Sequence, residues 1–475
     1  MKLLSKTISI ITLASAQALT LQAQSFTWIK SVEKDTWQQS TVKLMTDRHQ
    51  GADITISQVT TGPVFKAWGT CFNELGWDAL NALSAQDQKT IMSNLFSPQG
   101  DLHFNIGRIP MNANDYARSW YSCDSVDGDF SLNFFNIDRD KQTLVPYIHI
   151  AQKYNPNMTF WVSPWSPPIW MKTNHHYAQH ASPTNGLRKE VECPTYKVDQ
   201  FIMEPRYLNA YANYFCKFID AYKEQNIPID IVMYQNEAYS FTPYPGCTWT
   251  AKASILFNKD YLGPALARLH PEVELYLGTI NSNRFDVIDS ILGDNGIKKY
   301  AKGVALQWEG GQILGKLRDK YPNYKYVMSE SECGWGDFSW KAAEHTFNLM
   351  SHYLANGCET YTFWNAIIAD DGSSTWDWKQ NGLVHVDSHQ KTFTYTPEYY
   401  SAKHFCHFVT DGSRLIASKD VNGKKPVMVF ITPNHKKVII AGNFNNTPQA
   451  LNIAIGKKLL TVSMPPHSFN TFCEK

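Results

Sequence analysis

The sequence predicts an α/β chain built on a (β/α)8 barrel, with a side β-sandwich made from strands at both chain ends. Three observations carry this reading. Eight apolar, strand-like runs are separated by helix-like segments between residues 63 and 410. The flanking text, 24–62 and 411–475, has the short alternating pattern of β-structure. Most of the eight runs end in polar or aromatic residues that a scaffold does not need, and in a βα barrel the strand ends carry the chemistry.

The chain opens with Lys2 and Lys6, an apolar stretch over 8–21 and small residues, the pattern of a secretory signal peptide over 1–23. Cleavage after Ala18 and after Ala23 both fit. No later segment approaches the ~18 uninterrupted apolar residues of a transmembrane helix. The mature protein is therefore expected to be exported to the periplasm, cell surface or medium, with no transmembrane segment. Residues 24–62 follow, with Ala52-Asp53-Ile54-Thr55-Ile56-Ser57 alternating, and are too short to fold alone.

In the barrel, strands are expected at 64–72, 102–110, 158–164, 229–236, 273–278, 303–308, 326–330 and 360–365. Helical text lies between them at 84–95, 141–154, 207–224, 252–269, 285–292, 313–320 and 340–355. A doubly wound open sheet is the rival, but no GxGxxG turn follows the first strand. Past 411, brief strands at 425–431, 437–442 and 451–455 are separated by Gly, Asn and Pro turns. A lone hairpin is marginal, so both chain ends are expected in one sandwich.

Composition narrows the function. With 44 basic and 43 acidic residues the chain has no bias toward nucleic acid or other polyanions. Its 15 Trp and 24 Tyr suit sugar faces, though they are also ordinary core material. The nine cysteines form no CxxC pair, and no HExxH, His/Cys cluster or phosphate loop appears. No metal or organic cofactor is expected, and most thiols are expected to be buried and free.

The stretch Ile229-Asp230-Ile231-Val232-Met233-Tyr234-Gln235-Asn236-Glu237 is the clearest strand ending in function. Other runs end at Arg108, Trp165, Asn281, Gln307-Trp308, Glu330 and Trp364-Asn365. Together they describe a polar cleft with aromatic walls. Two carboxylates on different strands, Glu237 and Glu330, are what glycosidic hydrolysis needs: one protonated to release the leaving oxygen, one ionised to attack or stabilise the anomeric carbon.

Several blocks resemble glycoside hydrolase family 30, the glucosylceramidase-like and β-1,6-glucanase group. They are Phe104-Asn105-Ile106-Gly107-Arg108-Ile109-Pro110-Met111, the Ser163-Pro164-Trp165-Ser166-Pro167-Pro168 block with the residues to Asn174, Asn236-Glu237, Met328-Ser329-Glu330 and Phe363-Trp364-Asn365. The resemblance implies retaining β-glycosidase chemistry, with Glu237 as acid/base and Glu330 as nucleophile. It implies that Arg108, Asp115, Trp165, Asn236, Tyr244, Trp308 and Trp364 line the glycone site; Gln307 and Asn365 join them as strand-end residues.

There are departures from the family pattern. The first strand reads Ala67-Trp68-Gly69-Thr70-Cys71 where a Phe-Gly-Gly run is usual. Ala238 replaces a common Pro, Gln307 a His, and Glu309 an aromatic residue. Glu332 lies two residues beyond Glu330, on the same face of an extended chain, and is the rival nucleophile. The function expected is a secreted retaining β-glycosidase that cleaves β-glucosidic linkages, as an endo-β-1,6-glucanase-like or glucosylceramidase-like enzyme acting on a β-linked glucan or other β-glycoside. A β-glucosidase, β-xylosidase or β-fucosidase on the same fold, and a non-catalytic carbohydrate-binding barrel, are the alternatives.

Overall fold

The computed structural model describes residues 25–46, 51–56, 62–332, 334–419 and 424–475. The leader expected over 1–23 lies outside the described residues. The chain begins with the hairpin β1 (Ser25–Val32) and β2 (Asp35–Lys43), followed by the short β3 (Met45–Thr46) and β4 (Ile54–Thr55).

Eight parallel strands then close a barrel: β5 (Ala67–Cys71), β6 (Ile106–Met111), β7 (Thr159–Pro164), β8 (Ile231–Met233), β9 (Glu274–Ile280), β10 (Ala301–Gln307), β11 (Lys325–Glu330) and β12 (Thr360–Asn365). Each pairs with the next, and β12 returns to β5. Strands covered on both faces read as continuous apolar runs, which is why the sequence located all eight. Ala67, Ile106, Trp161, Met233, Tyr276, Ala305 and Val327 fill the barrel toward its N-terminal end. This packed floor leaves the opposite rim for a site.

The outer helices are α1 (Glu74–Asn81), α2 (Ala85–Phe96), α3 (Leu144–Tyr154), α4 (Pro205–Glu224), α5 (Ala251–Phe257), α6 (Gly263–Leu269), α7 (Phe285–Gly293), α8 (Asn295–Tyr300), α9 (Gly311–Lys320) and α10 (Trp340–Ala355). Side-chain caps start several of them: Asn73 accepts from the Gly76 N–H, Ser84 from Asp87 and Ser339 from Ala342. The single helix expected over 252–269 is instead α5 and α6 joined by a π turn, Asn258–Leu262. Pro264 has no N–H to donate, so the regular ladder cannot run through it. After β12 a small sheet of β13 (Ile367–Ala369), β14 (Val384–Asp387) and β15 (Thr392–Tyr395) rises beside the barrel, and α11 (Pro397–Cys406) follows it.

The side sandwich uses β16 (Arg414–Lys419), β17 (Val427–Ile431), β18 (Lys437–Asn443), β19 (Gln449–Ile455), β20 (Lys458–Met464) and β21 (Ser468–Glu474). Its larger sheet runs β16-β17-β18-β21-β1-β2 and its smaller one β3-β20-β19-β4, so both chain ends enter both sheets. Phe26, Val429, Ile439, Leu451, Ile453, Leu460 and Phe472 form the core between them. Trp340 and Phe347 of α10 stack on Phe469, with ring centroids 4.7 and 5.3 Å apart, and join sandwich to barrel. His404 of α11 is buried between Ser31 Oγ (2.9 Å) and Thr471 Oγ1 (2.8 Å), and burial pushes it down to about 3. All eight described cysteines are free thiols, seven of them buried.

Candidate active site

A cleft of about 530 Å³ opens at the C-terminal ends of the barrel strands. Beneath it, Arg108 of β6 is completely buried. Its guanidinium carbon lies 4.1 Å from the Trp165 ring centre, 4.8 Å from Trp161 and 5.2 Å from Trp364. Its N–H groups donate to the Glu330 carboxylate, to Asn236 Oδ1 (2.6 Å) and to Ser163 Oγ (3.1 Å). A cation so enclosed has lost its water, and the carboxylate, the dipoles and the aromatic faces around it offset that cost. Replacing Arg108 with Met leaves Glu330 buried without its cation. The expected loss of stability is about 3–5 kcal/mol, read as a drop in the denaturant midpoint at unchanged slope.

Glu330 is the last residue of β11 and lines the cleft. Its Oε2 accepts from Arg108 and, at 3.0 Å, from Gln307 Nε2. Burial pushes its carboxyl up to about 7 against the pull of Arg108, and the charge of Glu237 adds to the rise. The direct guanidinium and amide donors favour the ionised form.

Glu237 follows β8 with its backbone in the left-handed region, at φ 50°. That conformation costs an L-residue about 1–2 kcal/mol, and bonds on both sides hold it. Asn236 N donates to Pro164 O of β7 (2.7 Å) and Glu237 N to Thr279 O of β9 (2.9 Å). The Glu237 carboxylate accepts from two neutral groups, Tyr244 Oη and Asn281 Nδ2, each at 3.3 Å. Burial raises its pKa, and hydrogen bonds from Ser240, Asn281 and Tyr244 hold the rise back.

Asn236 Oδ1 accepts from Arg108, Thr279 Oγ1 (2.7 Å) and Gln307 Nε2 (2.8 Å). Three donors on the oxygen fix the amide so that its N–H groups face the cleft. Asp115 lines the same wall, and its carboxyl is pushed well up by burial and by the charges of Glu330 and Glu237. Asp115 Oδ1 and Trp364 Nε1 are buried polar atoms with no partner among the described residues.

Of the residues expected from sequence, Glu237, Glu330, Asp115, Trp165, Asn236, Tyr244 and Trp308 line the cleft. Arg108 and Gln307 lie beneath it, bonded to Glu330 and Asn236, and Trp364 lies there packed on Trp165. Asn365 faces elsewhere: it accepts from Asn73 Nδ2 (2.9 Å) and donates to Gln380 Oε1 (2.8 Å). Both ends of its amide are spent behind the wall. Glu332 lies past the end of β11, at the cleft edge, paired with His345 of α10. The sequence reading passed over Tyr196, Arg284, Trp335 and Trp378, all of which line the cleft. They sit in loops, where no periodicity marks a side chain's direction; the Gly334-Trp335-Gly336 triplet was the available signal.

Comparison with known proteins agrees with this geometry. Residues 65–409 match the glycosyl hydrolase family 30 TIM-barrel domain, and 412–472 its beta sandwich domain. The lysosomal acid glucosylceramidase of Mus musculus is 27% identical over 427 residues, covering 83% of this chain and 78% of that protein. An endo-1,6-beta-D-glucanase of Aspergillus fumigatus is 24% identical over 415 residues, covering 83% and 82%. Among solved structures, the endo-beta1,6-glucanase BT3312 superposes with a TM-score of 0.78 at 19% identity, covering 94% of this chain and 99% of that one. SrfJ from Salmonella typhimurium gives a TM-score of 0.83 at 20% identity, with the same coverage. A barrel and a sandwich matched in order over nearly the whole described chain, around two rim carboxylates, make this chain a member of glycosyl hydrolase family 30 and a glycoside hydrolase.

Proposed function

We propose that the protein is an exported, retaining β-glycosidase that cleaves β-glucosidic linkages of a β-1,6-glucan-like polysaccharide. The observation that carries the reading is the contrast between two carboxylates in one cleft: Glu330 bound by a guanidinium, Glu237 bound only by neutral donors. Glu330 is the nucleophile. Its carboxylate attacks the anomeric carbon as the bond to the leaving oxygen breaks, and Glu237 gives that oxygen its proton. Water then attacks the glycosyl-enzyme ester while Glu237 takes a proton back.

Arg108, Asp115, Trp165, Asn236, Gln307 and Trp364 bind or orient the glycone in this scheme. Asn236 bonds the 2-hydroxyl in this scheme, a contact that strengthens in the transition state. The unpartnered Asp115 Oδ1 suits a hydroxyl group that completes its bonding. Tyr244 and Trp308 border the same site. A glucan fits the mouth of the cleft better than a lipid does. Asn281, Ser282, Asn283, Arg284 and Glu309 intervene between its rings, and an acyl chain would strand those polar groups. Export rests on the 1–23 leader; no helix among the described residues is long and apolar enough to cross a membrane.

The test is the anomer first released from an aryl β-glucoside, followed by proton NMR. A β product appearing before mutarotation is expected, and an α product overturns retention. Digestion of β-1,6-glucan beside glucosylceramide decides the aglycone class.

The pH profile offers a second check. Because the Glu237 charge raises Glu330, Glu237→Gln should lower the pKa of Glu330. Activity needs Glu330 ionised, so it falls as pH drops through that pKa. With a dinitrophenyl glucoside, which leaves without acid help, the acid limb of kcat/KM should move to lower pH in Glu237→Gln. An unmoved acid limb would mean that Glu237 is already neutral where Glu330 titrates, so that no charge there acts on Glu330.

A further inference from the structure

The loop after β11 divides the cleft from a second cavity of about 320 Å³, and Glu332, Gly334 and Trp335 line both. Trp335 is 67% exposed, more than any other large apolar side chain among the described residues. A tryptophan normally gains by burying that surface. Here the backbone holds it out. Gly334 and Gly336 have φ of 62° and 76°, and a Cβ at either would lie 2.4 Å from Asn381 Nδ2 or 2.6 Å from Asp371 O. Trp378 meets the exposed ring edge-on, with centroids 5.4 Å apart.

The far walls of the cavity are polar and come from the start of α10 and from α11. Lys341 has no carboxylate within ion-pair distance among the described residues. Asp337 accepts from Ser339 and Asn381 (3.0 Å), and Glu332 is paired with His345. Glu398 accepts from Thr346 through Oε1 (3.1 Å), while its buried Oε2 has no partner among the described residues.

This combination excludes several guests. An apolar one would leave Lys341, Asp337 and Glu398 desolvated without compensation. A polyanion would meet three carboxylates. Among the described residues no group of three His, Cys, Asp or Glu side chains could hold a metal ion. What fits is a neutral ring with one apolar face and hydroxyl groups at its edge, which uses an aromatic platform beside separate donors and acceptors.

We infer that this cavity is a saccharide subsite: it holds a hexose unit of the arm that leaves on cleavage, with Trp335 as platform and Lys341 and Glu398 as polar contacts. The inference rests on the proposed glycan hydrolysis, and it adds that productive substrates extend past the loop after β11. The arm passes from the carboxylates across Trp335 and ends over α10. Chain length on that side then sets the rate.

The test is kcat/KM for β-1,6-linked gluco-oligosaccharides of two to five units, beside nitrophenyl β-glucoside. In the wild-type protein the value should rise about tenfold along the series, the scale of one aromatic contact with its polar neighbours. Lys341→Met and Glu398→Gln should flatten the rise and leave nitrophenyl glucoside hydrolysis unchanged. No rise in the wild type, or a rise that survives both substitutions, overturns the subsite. If nitrophenyl glucoside itself is not cleaved, the proposed function fails instead. Calorimetric binding of the same oligosaccharides then decides: binding weakened by Lys341→Met supports the cavity, and binding unaffected by either variant removes it.

Discussion

Glu330→Ala is expected to lower turnover of aryl β-glucosides by the order of 10⁵-fold, the scale on which removing a covalent nucleophile acts. Azide should restore activity by attacking from the vacated face, giving an α-glucosyl azide. Glu237→Ala should behave differently. Dinitrophenyl glucoside should still form the glycosyl-enzyme, deglycosylation should become limiting, and azide should give a β-glucosyl azide. The rival is Glu332, whose carboxylate is engaged by His345 at the edge of the cleft. Glu332→Ala should retain most activity. If it instead loses activity and gains azide rescue while Glu330→Ala remains active, the proposed roles are misassigned.

Deleting residues 411–475 is expected to yield insoluble protein rather than a free, active barrel. The deletion removes all of β16 to β21, so β1 and β2 lose every partner except each other. It also strips α10 and α11 of Phe444, Phe469 and Thr471, exposing Phe347, Trp340 and His404. Uncovering aromatic rings on two adjacent helices costs several kcal/mol, on the order of 1.5–3 for each large side chain. That is comparable with the whole stability of a typical domain. Expressing residues 63–410 and measuring solubility and glucoside hydrolysis checks this. A soluble, fully active product would mean that the barrel does not depend on the sandwich.

The barrel was legible because a strand covered on both faces must be apolar throughout, and eight such runs can be counted. The strand ends were legible for a related reason: the apolar run stops where the side chains meet solvent or substrate. That logic located Glu237, Glu330, Trp165 and Trp308. It could not say which way a terminal side chain turns, and Asn365 shows the limit. Trp364 packs against Trp165 at 5.1 Å between ring centres, while Asn365 next to it bonds Asn73 and Gln380. The helices α1, α8 and α11 escaped notice because two are eight residues or fewer and the third is crowded with aromatic residues that carry no clear 3.6 period. Tyr196, Arg284, Trp335 and Trp378 were invisible as a group, since loops bring them together from distant parts of the chain.

The place of β21 between β18 and β1 also sets an order of events during synthesis. Phe26, near the start of the described chain, pairs with Glu474, next to the last residue of the chain. Until β21 is made the β1–β2 hairpin has no neighbour on one side, and its open edge can pair with another chain. The sheet cannot be completed until β21 is made, and its pairing with β1 joins residues far apart in sequence, a kind of contact that forms slowly. A chain interrupted just before β21 therefore carries a complete barrel sequence and an unfinished sheet. Aggregation of nascent chains, rather than loss of the cleft, is the failure to which this topology is most exposed.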